Sequence, residues 1–384
     1  MRRITFVAWK DIRHPAAGGA ELLQHELSKR FVRDGDSVLH LVPGFDGAPE
    51  EETVDGVRIV RIGRNVLSFL RLRKEFRLHW QSDTDILMDT FNCVGSGACL
   101  ETPADRTFLL AYHVQGRMWR YQTSFHGVPQ WIMPAITAGG WFVERAQLRR
   151  LARRFQGRVL TISASTADDL SRHGFSRDRM TVIPVGIRGR PLLNLDQSLP
   201  KAKRFTAILI GPRKSKRPEH SLRAFALLRQ ARPESELVVA GWGTETEALR
   251  RLAGRLGVSG AVRWAGRVTD EQKSELLQAA HVLITTPVKE GWGIIVVEAN
   301  ALGTPAIGYN VPGLRDALAF GNGSLCAETP EAMAAELVRL HDLWRDRPAE
   351  YEALRQRSLD AARPITFDAA YETLRDLLPP TAPG

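Results

Sequence analysis

Cysteine is scarce in this chain: three among 384 residues, at positions 93, 99 and 326. An odd number with only one close pair excludes a disulfide framework, and the spacing of Cys93 and Cys99 fits no zinc pattern. A reducing cytoplasm is the expected setting. No targeting segment is expected either, since the apolar run Ile4–Trp9 is cut short by Lys10 and Asp11. Long hydrophobic runs are lacking. The longest stretch without Asp, Glu, Lys or Arg, Tyr121–Val143, is interrupted by Gly127, Pro129, Pro134, Gly139 and Gly140. Only its second half is strongly apolar, against the roughly 20 residues a spanning helix needs. The nucleotide-hydrolase pattern G-x-x-x-x-G-K-[ST] does not occur. What is present is ordinary for a globular protein: 43% hydrophobic and 25% charged residues. The length predicts two domains.

The net charge is +10 and is unevenly placed: +8 falls in residues 1–190 and +2 in the remainder. A basic first half predicts an anionic partner, such as nucleic acid, a phosphorylated ligand or anionic lipid. Six arginines crowd residues 144–158. Among them Leu148, Leu151, Ala152 and Phe155 recur at helical spacing, after the apolar segment Trp131–Val143 that ends in Trp141-Phe142. A basic helix with an apolar stripe is the pattern of reversible docking on an anionic membrane. Arg61–Arg77, with Leu67, Phe69, Leu70 and Leu72, repeats the mixture.

Short apolar runs alternate with amphipathic segments along the chain. Arg3–Trp9, Val38–Val42, Val57–Ile62, Asp85–Asp89, Phe108–His113, Val159–Ser163 and Met180–Val185 read as strands. Glu21–Phe31 reads as a helix with Leu23, Leu27 and Phe31 on one face, and Ser165 with Asp168 as a capped helix start. Gly186–Pro200 breaks the rhythm and reads as a linker. Strands then recur at Phe205–Ile210, Leu237–Ala240, Val262–Ala265, Val282–Thr285 and Ala306–Tyr309. Helices separate them, and the tail from Pro330 is helical. The expected class is α/β, two Rossmann-like doubly wound domains facing across a cleft. The first domain spans 1–188, the linker 189–200 and the second domain 201–364, and 365–384 returns to the first as a helix. Ligands in such sheets bind at the carboxyl ends of strands.

Four segments carry the residue types for anion and sugar chemistry. Gly18-Gly19 opens a helix, where bare amides and the helix dipole suit a phosphate; a plain helix entry reads the same way. Arg213-Lys214-Ser215-Lys216-Arg217 places four cations in five positions after a strand, as either a diphosphate clamp or a basic turn. Gly241-Trp242-Gly243 begins a dinucleotide fingerprint but lacks its third glycine, which excludes NAD. Seven residues separate Glu290 from Glu298, and the pair flanks Gly291-Trp292-Gly293-Ile294 at a helix start. A carboxylate can bind both hydroxyls of a ribose, and the Gly-x-Gly amides an anion or sugar hydroxyls. Glu298, inside an apolar helix, requires a partner. Asp83-Thr84-Asp85 spells D-x-D at a strand entry and is read as that entry, not as a metal site.

The Glu290–Glu298 spacing, its continuation through Ala299–Pro305 and Val311-Pro312-Gly313-Leu314, and Val262–Val268 resemble the retaining GT-B-fold glycosyltransferases of family 4. So do Thr161–Leu170, Ile183–Ile187 and Gly18–Glu21. The resemblance implies a transfer of hexose from a nucleoside-diphosphate sugar to an acceptor hydroxyl, with retention. Gly18 and Gly19 would face the donor diphosphate or the acceptor. Lys216 with Arg213, or Lys214 in its place, would bind the diphosphate. Glu298 would hold the ribose, Glu290 and the amides of Gly291–Ile294 the donor sugar, and His113 would stand beside the transferred sugar. Arg217 departs from the family, which has glycine after the lysine. The resemblance implies a UDP-, GDP- or other nucleotide sugar as donor, and no metal or other cofactor. Expected acceptors are a sugar, a glycolipid or a natural product, and the expected location is cytoplasmic, peripheral on the inner face of the membrane. Two rivals share parts of the pattern: a nucleotide-sugar epimerase of the same shape, and a basic nucleic-acid-binding protein without a recognised motif.

Overall fold

A computed structural model describes residues 1–63, 68–121, 130–187, 200–241, 243 and 245–379. The chain divides into two compact units, Met1–Gly186 with the segment from Thr366 onward, and Ile187–Ile365. Apart from Pro200, the expected linker 189–200 lies outside the described residues, as do Leu67, Trp242 and Thr244.

The first unit holds β1 (Arg3–Val7), β2 (Ser37–Pro43), β3 (Glu51–Val54), β4 (Val57–Ile62), β5 (Ile86–Asn92), β6 (Val94–Gly95), β7 (Thr107–His113), β8 (Arg158–Thr161) and β9 (Met180–Val182). Its helices are α1 (Gly19–Arg33), α2 (Phe69–Glu75), α3 (Met133–Arg154) and α4 (Ala164–Arg172). The sheet order is β3-β4-β2-β1-β5-β7-β8-β9, with β6 on β5. Only β3 and β6 pair antiparallel. The inner strands β1, β5 and β7 are buried almost throughout, as parallel strands covered on both faces must be.

The second unit holds β10 (Thr206–Ile210), α5 (Pro218–Ala231), β11 (Glu236–Ala240), α6 (Thr246–Arg255), β12 (Val262–Gly266), α7 (Asp270–Ala279), β13 (Val282–Thr285), α8 (Ile294–Ala301), β14 (Ala306–Tyr309), α9 (Leu314–Phe320), β15 (Ser324–Cys326), α10 (Pro330–Asp346) and α11 (Pro348–Ala362). Its sheet runs β12-β11-β10-β13-β14-β15, all parallel. A final helix, α12 (Phe367–Arg375), packs on α1.

Several expectations need correction. α4 is capped by Ser163, whose Oγ accepts the Thr166 amide at 3.1 Å, not by Ser165. The capping pattern in the sequence points two residues late because both serines precede the same apolar face. α3 begins at Met133 and continues without a break to Arg154, through Gly139-Gly140. Its Leu148, Leu151 and Phe155 lie in the core with Phe91, Leu109 and Val159, so that stripe meets the sheet and not a membrane. β3, α2, β15 and α9 were not anticipated.

Candidate functional site

In the second sheet the chain runs outward from β10 one way and from β13 the other, so the order reverses between these two strands. Ligands of open α/β sheets bind at the carboxyl ends there. The loops leaving β10 and β13 are the ones that carry Arg213–Arg217 and Glu290–Gly293. They are stitched together: Val288 N donates to Ser215 O at 3.0 Å, and Thr286 Oγ1 stands 3.0 and 2.9 Å from the carbonyls of Lys216 and Arg217.

Lys216 and Glu290 approach to 3.6 Å, both partly exposed. A cation and a carboxylate therefore stand together at the mouth of the switch point. Arg213 and Lys214 are exposed and enter no ion pair among the described residues, so nothing in the geometry chooses between them. Arg217 is different. Its backbone is left-handed at φ +43°. Its guanidinium turns back to donate to Thr286 O and Pro287 O, pairs with Glu328 at 2.9 Å, and lies 4.9 Å from the Tyr309 ring centre. It clasps the two loops and is not a fourth cation for a ligand.

Gly293, at φ +96°, begins α8, and no side chain caps that helix. An uncapped N-terminus leaves donors and a positive dipole end. Ile294 is the first residue of α8 and Gly291 precedes the turn. Trp292 is buried, and its indole N–H has no hydrogen-bond partner among the described residues. Glu298, on the second turn of α8, finds the partner its position demands in Lys273 of α7, at 2.9 Å. Burial opposes the charge on Lys273, but Glu298 and Asp270 outweigh it and hold the ammonium above its ordinary range. Gly313, at φ +78°, is a residue the sequence did not single out for the site. A Cβ there would stand 2.1 Å from Glu290 O, and Pro312 O accepts the Glu290 amide at 3.1 Å. The turn before α9 thus sets the backbone of Glu290. Gly243 packs as closely on Pro212, which makes the incomplete G-x-G a support for the basic turn.

In the first unit the sheet order reverses between β1 and β5. Gly18 is the N-cap of α1, but its amide donates to Glu21 Oε2 at 2.7 Å, and Lys10 stands 3.3 Å from the other oxygen. Of the glycine pair, Gly18's donor is therefore committed within the protein, and Gly19 is the first residue of the helix. His113 ends β7, half-buried, with Nε2 2.7 Å from Gln115 Oε1. Glu144 of α3, seen in the sequence only as the start of an arginine-rich run, is buried and accepts the amides of Gln115 (2.5 Å) and Gly116 (2.8 Å) and the Trp119 indole (3.0 Å). Its signal was its isolation, as the sole acidic residue of α3. Asp83 and Asp85 are both paired to Arg3, as a strand entry should be. Among the described residues no group of three or more His, Cys, Asp or Glu could hold a metal.

Residues 195–357 match the family model for glycosyl transferases group 1, and residues 17–188 that for glycosyltransferase family 4. Among curated relatives, a D-inositol 3-phosphate glycosyltransferase of Streptomyces avermitilis is 32% identical over 201 residues, 47% of this chain and 43% of that protein. An MMP alpha-(1->4)-mannosyltransferase of Mycolicibacterium hassiacum is 27% identical over 272 residues, 69% of this chain and 64% of that protein. The chain spans less than half the length of the first curated relatives it matches. Among solved structures, Anabaena HepE with UDP and glucose superposes with a TM-score of 0.69 at 15% identity, over 98% of this chain and 99% of that one. Sucrose-phosphate synthase from Thermosynechococcus elongatus gives 0.73 at 16%, over 98% of each. The two sheets of mainly parallel strands are those of the GT-B fold. On that fold the chain carries one family 4-like and one group 1 glycosyltransferase domain. These matches give the epimerase and nucleic-acid readings no support.

Proposed function

We propose that the chain is a retaining glycosyltransferase that moves a hexose from a nucleoside-diphosphate sugar to an acceptor hydroxyl. One observation carries this reading. Lys216, Glu290, the uncapped start of α8 and the Lys273-braced Glu298 converge at the switch point of one sheet. They form a graded set for diphosphate, sugar and ribose. Lys216, with Arg213 or Lys214, neutralises the diphosphate, and Glu298 accepts from the ribose hydroxyls. Glu290 and the Gly291–Ile294 backbone hold the donor sugar. His113 contacts the transferred sugar, and Gly19 with Gly18 borders the acceptor or the diphosphate. The UDP named in the HepE structure supports a nucleotide donor.

In the reaction, the bond from the anomeric carbon to the phosphate oxygen breaks and the acceptor oxygen bonds to the same face. The acceptor's proton passes to the departing phosphate oxygen. The transition state is oxocarbenium-like, and the charge gathering on the diphosphate is met by Lys216, its neighbouring cation and the α8 dipole. The reading uses no protein nucleophile and no metal. Donor affinity tests it. Glu298→Ala and Lys216→Ala each weaken nucleoside-diphosphate binding by about 1–3 kcal/mol, 5- to 150-fold, in calorimetric titrations across UDP, GDP and their hexoses. Wild-type affinity in both variants would overturn the donor site.

A membrane-borne acceptor is the second part of the proposal. On the outer face of α3 and the turn before it, Trp131, Trp141, Phe142 and Val143 are exposed, followed by exposed Arg149, Arg150, Arg153 and Arg154. The only acid of the helix, Glu144, is buried. An aromatic cluster beside an unopposed cationic row is complementary to an anionic lipid surface. Among the described residues no helix is long and apolar enough to cross a membrane.

A further inference from the structure

We infer that Glu144 and Gln115 are positioning residues that orient the His113 imidazole, a role that rests on the reading of His113 above. Glu144 is 1% exposed. A carboxylate so deep costs several kcal/mol unless its lone pairs are filled. Here two successive amides, those of Gln115 and Gly116, converge on its two oxygens, at 2.5 and 2.8 Å, and the Trp119 indole joins Oε2 at 3.0 Å. Two adjacent amides held by one carboxylate fix the orientation of the peptide between them. From that fixed backbone the Gln115 side chain, itself 4% exposed, turns back so that Oε1 meets His113 Nε2 at 2.7 Å. An amide oxygen only accepts, so this contact calls for a proton on Nε2, which in a neutral ring leaves the lone pair on Nδ1.

The helix that supplies Glu144 is itself locked to this end of the sheet. Gly140, one turn earlier, lies against Trp119, where a Cβ would stand 2.4 Å from the indole ring. Gln147, on the same face, accepts from Gly95 N at 3.0 Å and donates to Gly95 O at 2.6 Å. The loops after β5 and β7 therefore hang from one helix face. Packing alone would be served by an apolar residue at 144. A carboxylate answered by consecutive backbone donors fixes a loop that carries a functional side chain.

The test reads His113 directly and separately from turnover. In the full chain, its ring nitrogens are followed by nitrogen-15 NMR through a pH titration and assigned with His113→Ala. In wild type the neutral ring carries its proton on Nε2. Gln115→Glu places a carboxylate on that nitrogen and raises the imidazole pKa by about one unit or more. Gln115→Leu abolishes the Nε2 preference. In parallel, donor hydrolysis is measured over a panel of UDP- and GDP-hexoses. Glu144→Gln and Gln115→Leu lower kcat by about 10- to 100-fold, as displaced catalytic contacts do, with nucleoside-diphosphate affinity within twofold of wild type. If Glu144→Gln fails to fold, the two Gln115 variants, which keep the buried carboxylate, decide the matter. Full turnover in His113→Ala would overturn the reading of His113 itself. Loss in His113→Ala, with His113 titration and kcat unmoved in the Gln115 variants, would overturn the positioning role alone.

Discussion

Arg217 holds a backbone conformation that costs a non-glycine residue about 1 kcal/mol or more. The sequence already marked it, as an arginine where the resembling family has glycine. It did not show that the side chain leaves the ligand side and spans to the loop after β13. Three hydrogen bonds from a charged donor, each about 1.5–3 kcal/mol gross of what is lost elsewhere, outweigh the strain. Arg217→Gly should therefore lower stability by about 1–3 kcal/mol in urea unfolding, despite the relieved φ. A rise in stability would show that the clasp contributes nothing. Glu298 was legible in a complementary way. An acid on an apolar helix face announced the need for a partner, but Lys273 lies 25 residues away on another helix. Pair identity at that distance is fixed by the packing of α7 on α8, which no local pattern encodes.

At the scale of elements, α3 shows why a correct pattern can be placed on the wrong face. Leucines at helical spacing among arginines look alike whether they meet a sheet or a bilayer. Leu148 and Leu151 are buried in the core, so the proposed docking rests instead on the exposed Trp131, Trp141, Phe142 and Val143. Arg145 stands 5.4 Å over the Trp141 ring, joining the aromatic and cationic parts. The inner parallel strands are legible in order because a buried parallel strand is a short apolar run. The edge strand β3, with half-exposed residues and an antiparallel partner, carries no such run. The docking face predicts that the protein floats with vesicles of phosphatidylglycerol but not of phosphatidylcholine. Binding should fall as salt shortens the reach of the arginines. Trp141→Ser with Phe142→Ser should weaken flotation by about 10-fold or more, the loss of two large apolar side chains at about 1.5–3 kcal/mol each being an upper bound. Equal flotation of this variant, or none by the wild type at low salt, would leave a non-membrane acceptor as the reading.

For the whole molecule, the order of the chain differs from the order of its units. The chain leaves the first unit at Gly186, builds the second, and gives its segment from Thr366 back to the first. α12 is fastened there by several independent contacts. Arg30 grips Asp368 at 2.8 Å, the Tyr371 hydroxyl donates to Asp34 at 2.7 Å, and the Tyr371 ring meets Phe31 edge-on with centres 4.9 Å apart. Gly186 admits the chain so closely that a Cβ would stand 2.4 Å from Phe367 N. The tyrosine's hydrogen bond and Arg33 hold the Asp34 carboxyl below its ordinary range, and Arg30 does the same for Asp368. Depressed carboxyl groups stabilise the folded form above the unfolded carboxylate value of about 4, and that contribution is lost as pH falls through their lower folded values. Two results follow for hydrogen exchange read peptide by peptide. Ending the chain after Ile365 should raise exchange in α1 and β2 of the first unit and leave β10–β14 of the second unchanged. In the intact chain, lowering the pH below about 4 should raise exchange in α12 and α1. If truncation instead loosens the second unit, or acid leaves α12 and α1 as protected as at neutral pH, then α12 is not the closing element of the first unit.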